Sequence, residues 1–225
     1  GQARTPQRRA RLNFLCPRLS QLMALRDADR RDGHTAAQYR TPNTQETVMS
    51  YVQLSDKHTL RERARQHVEN GAVTESYSAD RETVINLLNE ALATELVCYL
   101  RYKRHYYMAT GLKSSVAADE FLEHANEEQE HADRLAERIV QLGGAPDFNP
   151  DSLTERAHAQ YAEGNGLRDM VFENLVAERI AIDSYREIVQ YIGDKDPTTR
   201  RIFEDILAQE EEHADDLAGL LDGMN

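Results

Sequence analysis

The densest chemistry in this 225-residue sequence lies in two decapeptides. Residues 127–136 read EEQEHADRLA and residues 209–218 read QEEEHADDLA, identical at seven of ten positions at an offset of 82. Each contains Glu-x-x-His: Glu128 with His131, and Glu210 with His213. On a helix an i, i+3 pair shares a face, so each segment can present a carboxylate and an imidazole to one point. A fainter echo at an offset of 83 relates Glu95 and Tyr102 to Glu178 and Tyr185. Two hairpins related by a pseudo-twofold axis are expected.

Turn positions convert the repeat into a height. The breaks near Gly111 and Gly193 centre the two hairpin turns at about 111.5 and 194.5. Glu95 and Glu128 lie 16.5 residues on either side of the first turn; Glu178 and Glu210 lie 16.5 and 15.5 residues from the second. At about 1.5 Å per residue, all four sit roughly 25 Å from their turns. Four carboxylates and two imidazoles can then converge at mid-bundle. Buried anions repel and lose hydration, so the cluster needs cations. Two divalent ions neutralise four carboxylates. A carboxylate and imidazole set without thiolates suits iron or manganese, and zinc also binds such ligands. Carboxylate bridges would hold the two metals roughly 3.5–4 Å apart. The bland alternative is a set of solvated charges on acidic helix faces. It fits Glu95 and Glu178 poorly, since Leu96, Val97 and Leu100 flank one, and Val176, Ile180 and Ile182 the other.

The elements that must carry these residues are helices. Eleven Gly, six Pro and no Trp leave few breaks in the chain. A short helix is predicted over Asp56 to Glu69, before Asn70-Gly71. Four long ones follow: from the N-cap Asp80 to Ala109, from Ser114-Ser115 to Gly143-Gly144, from Leu167 to Ile192, and from Asp196-Pro197 to Leu221. Short turns at 110–113 and 193–196 make each pair antiparallel. The stretch 145–166 holds Pro146, Pro150, Gly164 and Gly166 and reads as connection, with a short helix near 152–162. It is long enough to cross the bundle, so the second and third long helices run parallel. The fold class is all-α: a four-helix bundle with one long crossover, a short N-terminal helix and a basic, disordered N-terminal segment.

Charge divides the chain. The net charge is −12, yet nine Arg and four acids give residues 1–48 a net +5, leaving −17 on the rest. Three readings of 1–48 stand: an extraneous or disordered stretch ahead of a natural start at Met49, a DNA-binding arm, or a targeting segment. The division is 1–48, an extension with a short helix over 49–79, and the metal-binding domain over 80–225. No run of 18 apolar residues is present, so no membrane partner is expected. Two cysteines, Cys16 and Cys98, make no disulfide framework and fit a reducing, cytoplasmic compartment.

Over residues 80–221 the sequence resembles the ferritin-like di-iron proteins, bacterioferritin most closely. The resemblance rests on Thr94-Glu95-Leu96-Val97 with Tyr102, on the run Glu128 to Arg134, on Glu178, and on Glu210-Glu211-Glu212-His213. It implies a ferroxidase centre with two iron ions per subunit, bridged by Glu128 and Glu210, with Glu95 and His131, and Glu178 and His213, as terminal ligands. It implies oxidation of Fe(II) by O2 or H2O2 and storage of ferric mineral in a homo-oligomeric cage. Tyr102, two turns after Glu95, is grouped with the catalytic set as an electron or hydrogen-bond donor, with core packing as its plain alternative. Two departures matter. Gln129 stands where bacterioferritin binds haem through methionine, so haem is not expected. The chain stops at Asn225, without the short fifth helix of the 24-subunit shell, which is more like the twelve-subunit Dps-like proteins. Cage size is left at 12 or 24 subunits.

Other residues receive plainer readings. His124 is taken as a surface or hydrogen-bonded histidine before an iron-path residue. Glu123, Glu127 and Glu130 are taken as a solvated face. Cys98 is a buried small side chain, Tyr106 and Tyr107 pack, and His158 has no usable spacing. Two competing functions remain: a di-iron or di-manganese peroxide scavenger, and a Dps-like DNA-protecting protein holding DNA through its Arg-rich N-terminus.

Overall fold

The structure, a computed structural model, describes residues 53–109 and 114–224. Among them there are no strands. The readings made for residues 1–48 and for the turn at 110–113 lie outside the described residues.

Six helices follow in order: α1 (Lys57–Arg63), α2 (Arg81–Met108), α3 (Ser115–Gln141), α4 (Leu153–Arg156), α5 (Leu167–Ile192) and α6 (Pro197–Asp222). The four long ones match the predicted spans closely. The Asp80 side chain accepts from Thr83 N, and that of Asp196 from Thr199 N, so both predicted N-caps work as caps. Gly193 ends α5 with φ at +52°, a conformation glycine adopts without steric penalty.

Two expectations need correction. The N-terminal helix stops at Arg63 and not at Glu69. His67 then takes φ +50°, and only a 3-10 turn over Val68–Asn70 follows. All seven residues of α1 lack burial, so no apolar face extends the helix once its local cap, Asp56, has been used. In the connection, α4 has four residues and ends before Ala157, short of the predicted 162.

The long helices form two hairpins that pack against each other through α2 on α5 and α3 on α6. Contacts give the directions. Along α2 and α5, Glu95 meets Tyr185, Tyr102 meets Glu178, and His105 meets Asn174, so these helices are antiparallel. Along α2 and α3, Glu95 meets His131 and Tyr102 meets His124, again antiparallel. Helices α3 and α5 therefore run parallel, as the long connection allows.

That connection runs the length of α2. Asn89 holds Ala145 O and Asp147 N, Thr94 Oγ1 accepts from His158 N, Arg101 donates to Gln160 O, and His105 faces Ala162 O. Sixteen helical residues from Asn89 to His105 span about 24 Å. Polar groups of α2 thus satisfy a backbone that has no ladder of its own. This covering strand also explains why five consecutive α2 residues, Ala91 to Glu95, are all buried.

Two apolar clusters fill the bundle. One gathers Leu88, Leu92, Leu135, Ile139, Ile192, Phe203 and Ile206; the other gathers Phe121, Ala125, Met170, Val171 and Leu217. A layer of charged side chains lies between them.

Candidate metal centre

That layer consists of Glu95 from α2, Glu128 and His131 from α3, Glu178 from α5, and Glu210 and His213 from α6. Each is at most 2 % exposed. All six predicted ligands come together. Glu95, Glu128, His131 and Glu210 form one set whose ligand atoms lie within 4.8 Å of one another, and Glu128, Glu178, Glu210 and His213 form another. Glu128 and Glu210 belong to both sets, as two bridging carboxylates must.

Both histidines turn Nδ1 inward. His131 Nδ1 stands 3.2 Å from Glu95 Oε2 and 3.0 Å from Glu210 Oε1. His213 Nδ1 stands 3.3 Å from Glu210 Oε2 and 3.7 Å from Glu128 Oε1. Their outer nitrogens are held by partners the sequence reading passed over. His131 Nε2 lies 2.9 Å from Gln209 Oε1, and His213 Nε2 lies 2.7 Å from Glu127 Oε2. Such outer contacts fix the tautomer that leaves Nδ1 free to bind a metal. Glu127, read as part of a solvated face, is 34 % exposed at its side chain and belongs to the site. The signal was available: Glu127 and Gln209 are themselves equivalent at an offset of 82.

The tyrosines cross between the hairpins. Tyr102 on α2 donates to Glu178 on α5, and Tyr185 on α5 donates to Glu95 on α2. Tyr102 is therefore tied to a candidate ligand as well as packed on Phe121. Tyr185, its repeat partner, plays the same part and was not singled out. Burial, then the nearby carboxylates, pushes both phenols well above their ordinary range, so both keep the proton they donate.

Electrostatics show what the site lacks. Burial, then the neighbouring carboxylates Glu210 and Glu128, drives Glu95 well above the ordinary carboxylate range, and the same forces raise Glu178. Burial opposes charge on His213, but the facing carboxylates of Glu128 and Glu210 outweigh it and raise the imidazole to about 12. His131 is raised against burial in the same way, by Glu128, Glu210 and Glu95. Even so, Glu128 Oε1, Glu178 Oε2, both oxygens of Glu210 and His213 Nδ1 are buried without a hydrogen-bond partner. Buried polar atoms are rarely left so. Five in one layer, all aimed at one another, fit a pair of divalent cations.

His124 takes the hydrogen-bonded one of its two plain readings, through Nδ1 to Tyr102 Oη. It is not at the surface but 2 % exposed, with its ring stacked on His213 at 4.0 Å between centroids. Burial and then His213 lower it to about 3, so it is neutral. Cys98 is buried near the layer, and burial pushes its thiol up, leaving an unreactive group. His158, for which spacing gave no role, contacts Thr94 through Nδ1 at 3.2 Å. Leu100 and Val176, read as apolar neighbours of Glu95 and Glu178, are 46 % and 36 % exposed.

A family model for the ferritin-like domain matches residues 85–225. The chain belongs to the ferritin-like family. This ferritin-like chain is 32 % identical over 142 residues to the bacterioferritin of Brucella melitensis, covering 62 % of this chain and 83 % of that one. It is 31 % identical over 139 residues to a nutrient stress-induced DNA-binding protein of Synechococcus, covering 60 % and 78 %. Among solved structures, the bacterioferritin-related protein of Bacteroides fragilis, described as a dodecameric thioferritin, is 35 % identical with a TM-score of 0.63, covering 65 % of this chain and 89 % of that one. Among the described residues no helix is long and apolar enough to cross a membrane.

Proposed function

We propose that this protein oxidises Fe(II) to Fe(III) at the six-residue layer and stores the ferric product in a cage built from copies of the chain. The observation that carries the reading is the pair of four-ligand sets sharing Glu128 and Glu210. Iron is the substrate here. Two Fe(II) ions held side by side each give up one electron, so an oxidant that takes electrons in pairs, O2 or H2O2, is reduced to H2O2 or water without releasing a radical. The residues supply position and charge. Glu128 and Glu210 bridge, Glu95 with His131 and Glu178 with His213 close the ends, and Tyr102 and Tyr185 orient the two end carboxylates. Manganese or zinc suits the same ligands. At the haem position of bacterioferritins the chain has Gln129, exposed and without a methionine sulfur, so the reading carries no haem.

Assembly is supported by the dodecameric Bacteroides relative and by large apolar side chains left exposed on the long helices, among them Leu100, Tyr107, Phe172 and Val176. The test is Fe(II) added in air. A ferric absorbance rise is expected whose first phase consumes two irons per chain, and Glu128→Ala and Glu210→Ala should each abolish that phase. Unchanged rates in both variants overturn the ligand assignment. A chain that stays monomeric in sedimentation removes the cage.

A second reading, DNA protection, has its own support: the DNA-binding relative and the nine arginines of residues 1–48. Salt-sensitive DNA retardation should then be lost in a chain starting at Met49.

A further inference from the structure

Helix α1 is held by nothing outside its own neighbourhood. None of its seven residues is buried, and its side chains bond only with Ser55, Asp56 and one another. So short a helix without a packed face is marginal in water. Its residues are nonetheless sorted by face. Leu60, 53 % exposed, shares a face with Lys57 and Arg63, three residues before and after it, and with the C-cap Ala64. Glu62, the one acid of α1, lies on the opposite side. A groove of about 590 Å³ between the C-terminal half of α3 and the start of the connection has the complementary character. Ala136, Val140, Pro146 and Phe148 give it an apolar lining, and Asp133 and Glu137 an acidic one. Val140 and Phe148 are more than half exposed. On α3 the residues Asp133, Ala136, Glu137 and Val140 follow at the spacing of a single helix face. Among the described residues no cation meets Asp133 or Glu137, and no acid meets Lys57 or Arg63.

We propose that α1 of one copy docks in the α3 groove of a second copy, with Leu60 on Val140 and Phe148, and Lys57 and Arg63 beside Asp133 and Glu137. This rests on the assembly part of the reading above and not on its iron chemistry. The charges favour this occupant, because an apolar residue between two cations meets an apolar floor beside two carboxylates. The chain's own α1 does not fill the place: none of its residues lines the groove. The segment after it is fastened elsewhere. Val73 and Tyr77 pack on the larger apolar cluster, and Tyr77 Oη donates to Asp196 Oδ2 at 2.9 Å. Between α1 and that anchor the chain turns at His67 and Gly71, with φ of +50° and +57°. One such contact is weak, since exposed ion pairs contribute little. Repeated once per copy around a closed assembly, it adds to every other interface.

The test treats the full-length chain with a carbodiimide, which joins a lysine amine to a carboxylate in contact with it. A two-chain product is expected on a denaturing gel, with the peptide carrying Lys57 linked to the one carrying Asp133 or Glu137. Lys57→Arg keeps the charge and should remove that link. A Lys57 link to these acids found only within single chains overturns the proposal, because the groove is then filled by the chain's own helix. Lys57 linked only to other acids, or not at all, overturns it too. A charge exchange gives an independent measurement. Lys57→Glu with Arg63→Glu should raise the concentration at which half the chains assemble about fivefold, the size of two exposed ion pairs. Adding Asp133→Lys and Glu137→Arg should restore it. No weakening overturns the contact. Weakening without rescue overturns it as well, and gives the basic face to another partner such as a phosphate backbone. A chain that is monomeric in sedimentation removes the cage and this contact together, whereas an assembled chain without the Lys57 link removes the contact alone.

Discussion

Phe121 and Leu135 on α3 answer to Phe203 and Leu217 on α6, and all four are fully buried. Tyr102 packs on Phe121, and Tyr185 packs on Phe203. The α2–α3 and α5–α6 hairpins are alike where they face the metal layer and its packing. They part company one turn outward. His124 faces a cleft where its counterpart Ile206 fills the core. Glu127 accepts from His213, whereas Gln209 accepts from His131. At the far end the N-cap Asp196 of α6 answers to Ser114, and Arg138 answers to Leu220. The lesson is a division of labour within a repeat. Positions that must hold two like cations stay matched, because each half makes the same demand on charge and geometry. Positions that flank the layer, or tie the ends of the bundle, are free to differ.

The largest test of that division falls on the unmatched end. Arg138 donates to both oxygens of Asp196 at 3.0 and 3.1 Å, and Thr199 and Tyr77 bond the same carboxylate. Removing one partner of a buried ion pair costs about 3–5 kcal/mol, so Asp196→Ala should lose that much in urea unfolding, while the paired-metal count stays at two. The pH dependence has a definite sign. Burial works to raise Asp196, but its hydrogen bonds and Arg138 outweigh it and hold the pKa below 3.8. Below that value the unfolded chain takes up the proton first, so this stabilisation is complete above pH 3.8 and is lost as pH falls through the lower folded value. Asp196→Asn should show a flatter stability curve in that acid window. An equally steep curve would place the acid sensitivity elsewhere.

A smaller effect is expected from the tyrosines, where the halves match but for one contact. Tyr102→Phe and Tyr185→Phe each remove the donor that orients an end carboxylate, a loss of about 10–100-fold in metal affinity or oxidation rate. Unchanged oxidation rates in both variants would mean that the phenols do not orient Glu178 and Glu95.

Much of the fold was legible because its causes are local and repeated. Caps at Asp80 and Asp196, glycine stops, and two copies of Glu-x-x-His specify helix ends and faces without tertiary knowledge. The layer itself could be read from distances along the chain, since a straight helix converts residue number into height. What could not be read was the environment of each side chain beyond its own helix. Leu100 and Val176 looked like core but lie outward, because periodicity cannot tell a face that meets another helix from one left bare. His124 could be read as surface or as buried and hydrogen-bonded. Its burial depends on Tyr102 and His213, which come from two other helices. The short α1 failed for a different reason: propensity favoured it through Glu69, and nothing packs on it to hold the extra turn.

The smallest predicted effect concerns the two outer partners of the histidines. A carboxylate that accepts from Nε2–H pulls the proton harder than an amide does, and this makes Nδ1 a stronger electron donor to a metal. Glu127 gives His213 that advantage, while Gln209 leaves His131 without it. The metal position beside His213 should therefore bind more tightly than the one beside His131, on the same flank as the cleft. Glu127→Gln makes the halves alike from one side, and Gln209→Glu makes them alike from the other. Each should narrow the gap between the two dissociation constants for Co(II), read from its visible absorption, by about three- to tenfold, below the loss expected for a tyrosine. Glu127→Gln should do so by weakening the tighter site, and Gln209→Glu by strengthening the weaker one. If both variants shift both constants together, the outer partners act only through net charge, and the inequality of the two positions must come from the cleft alone.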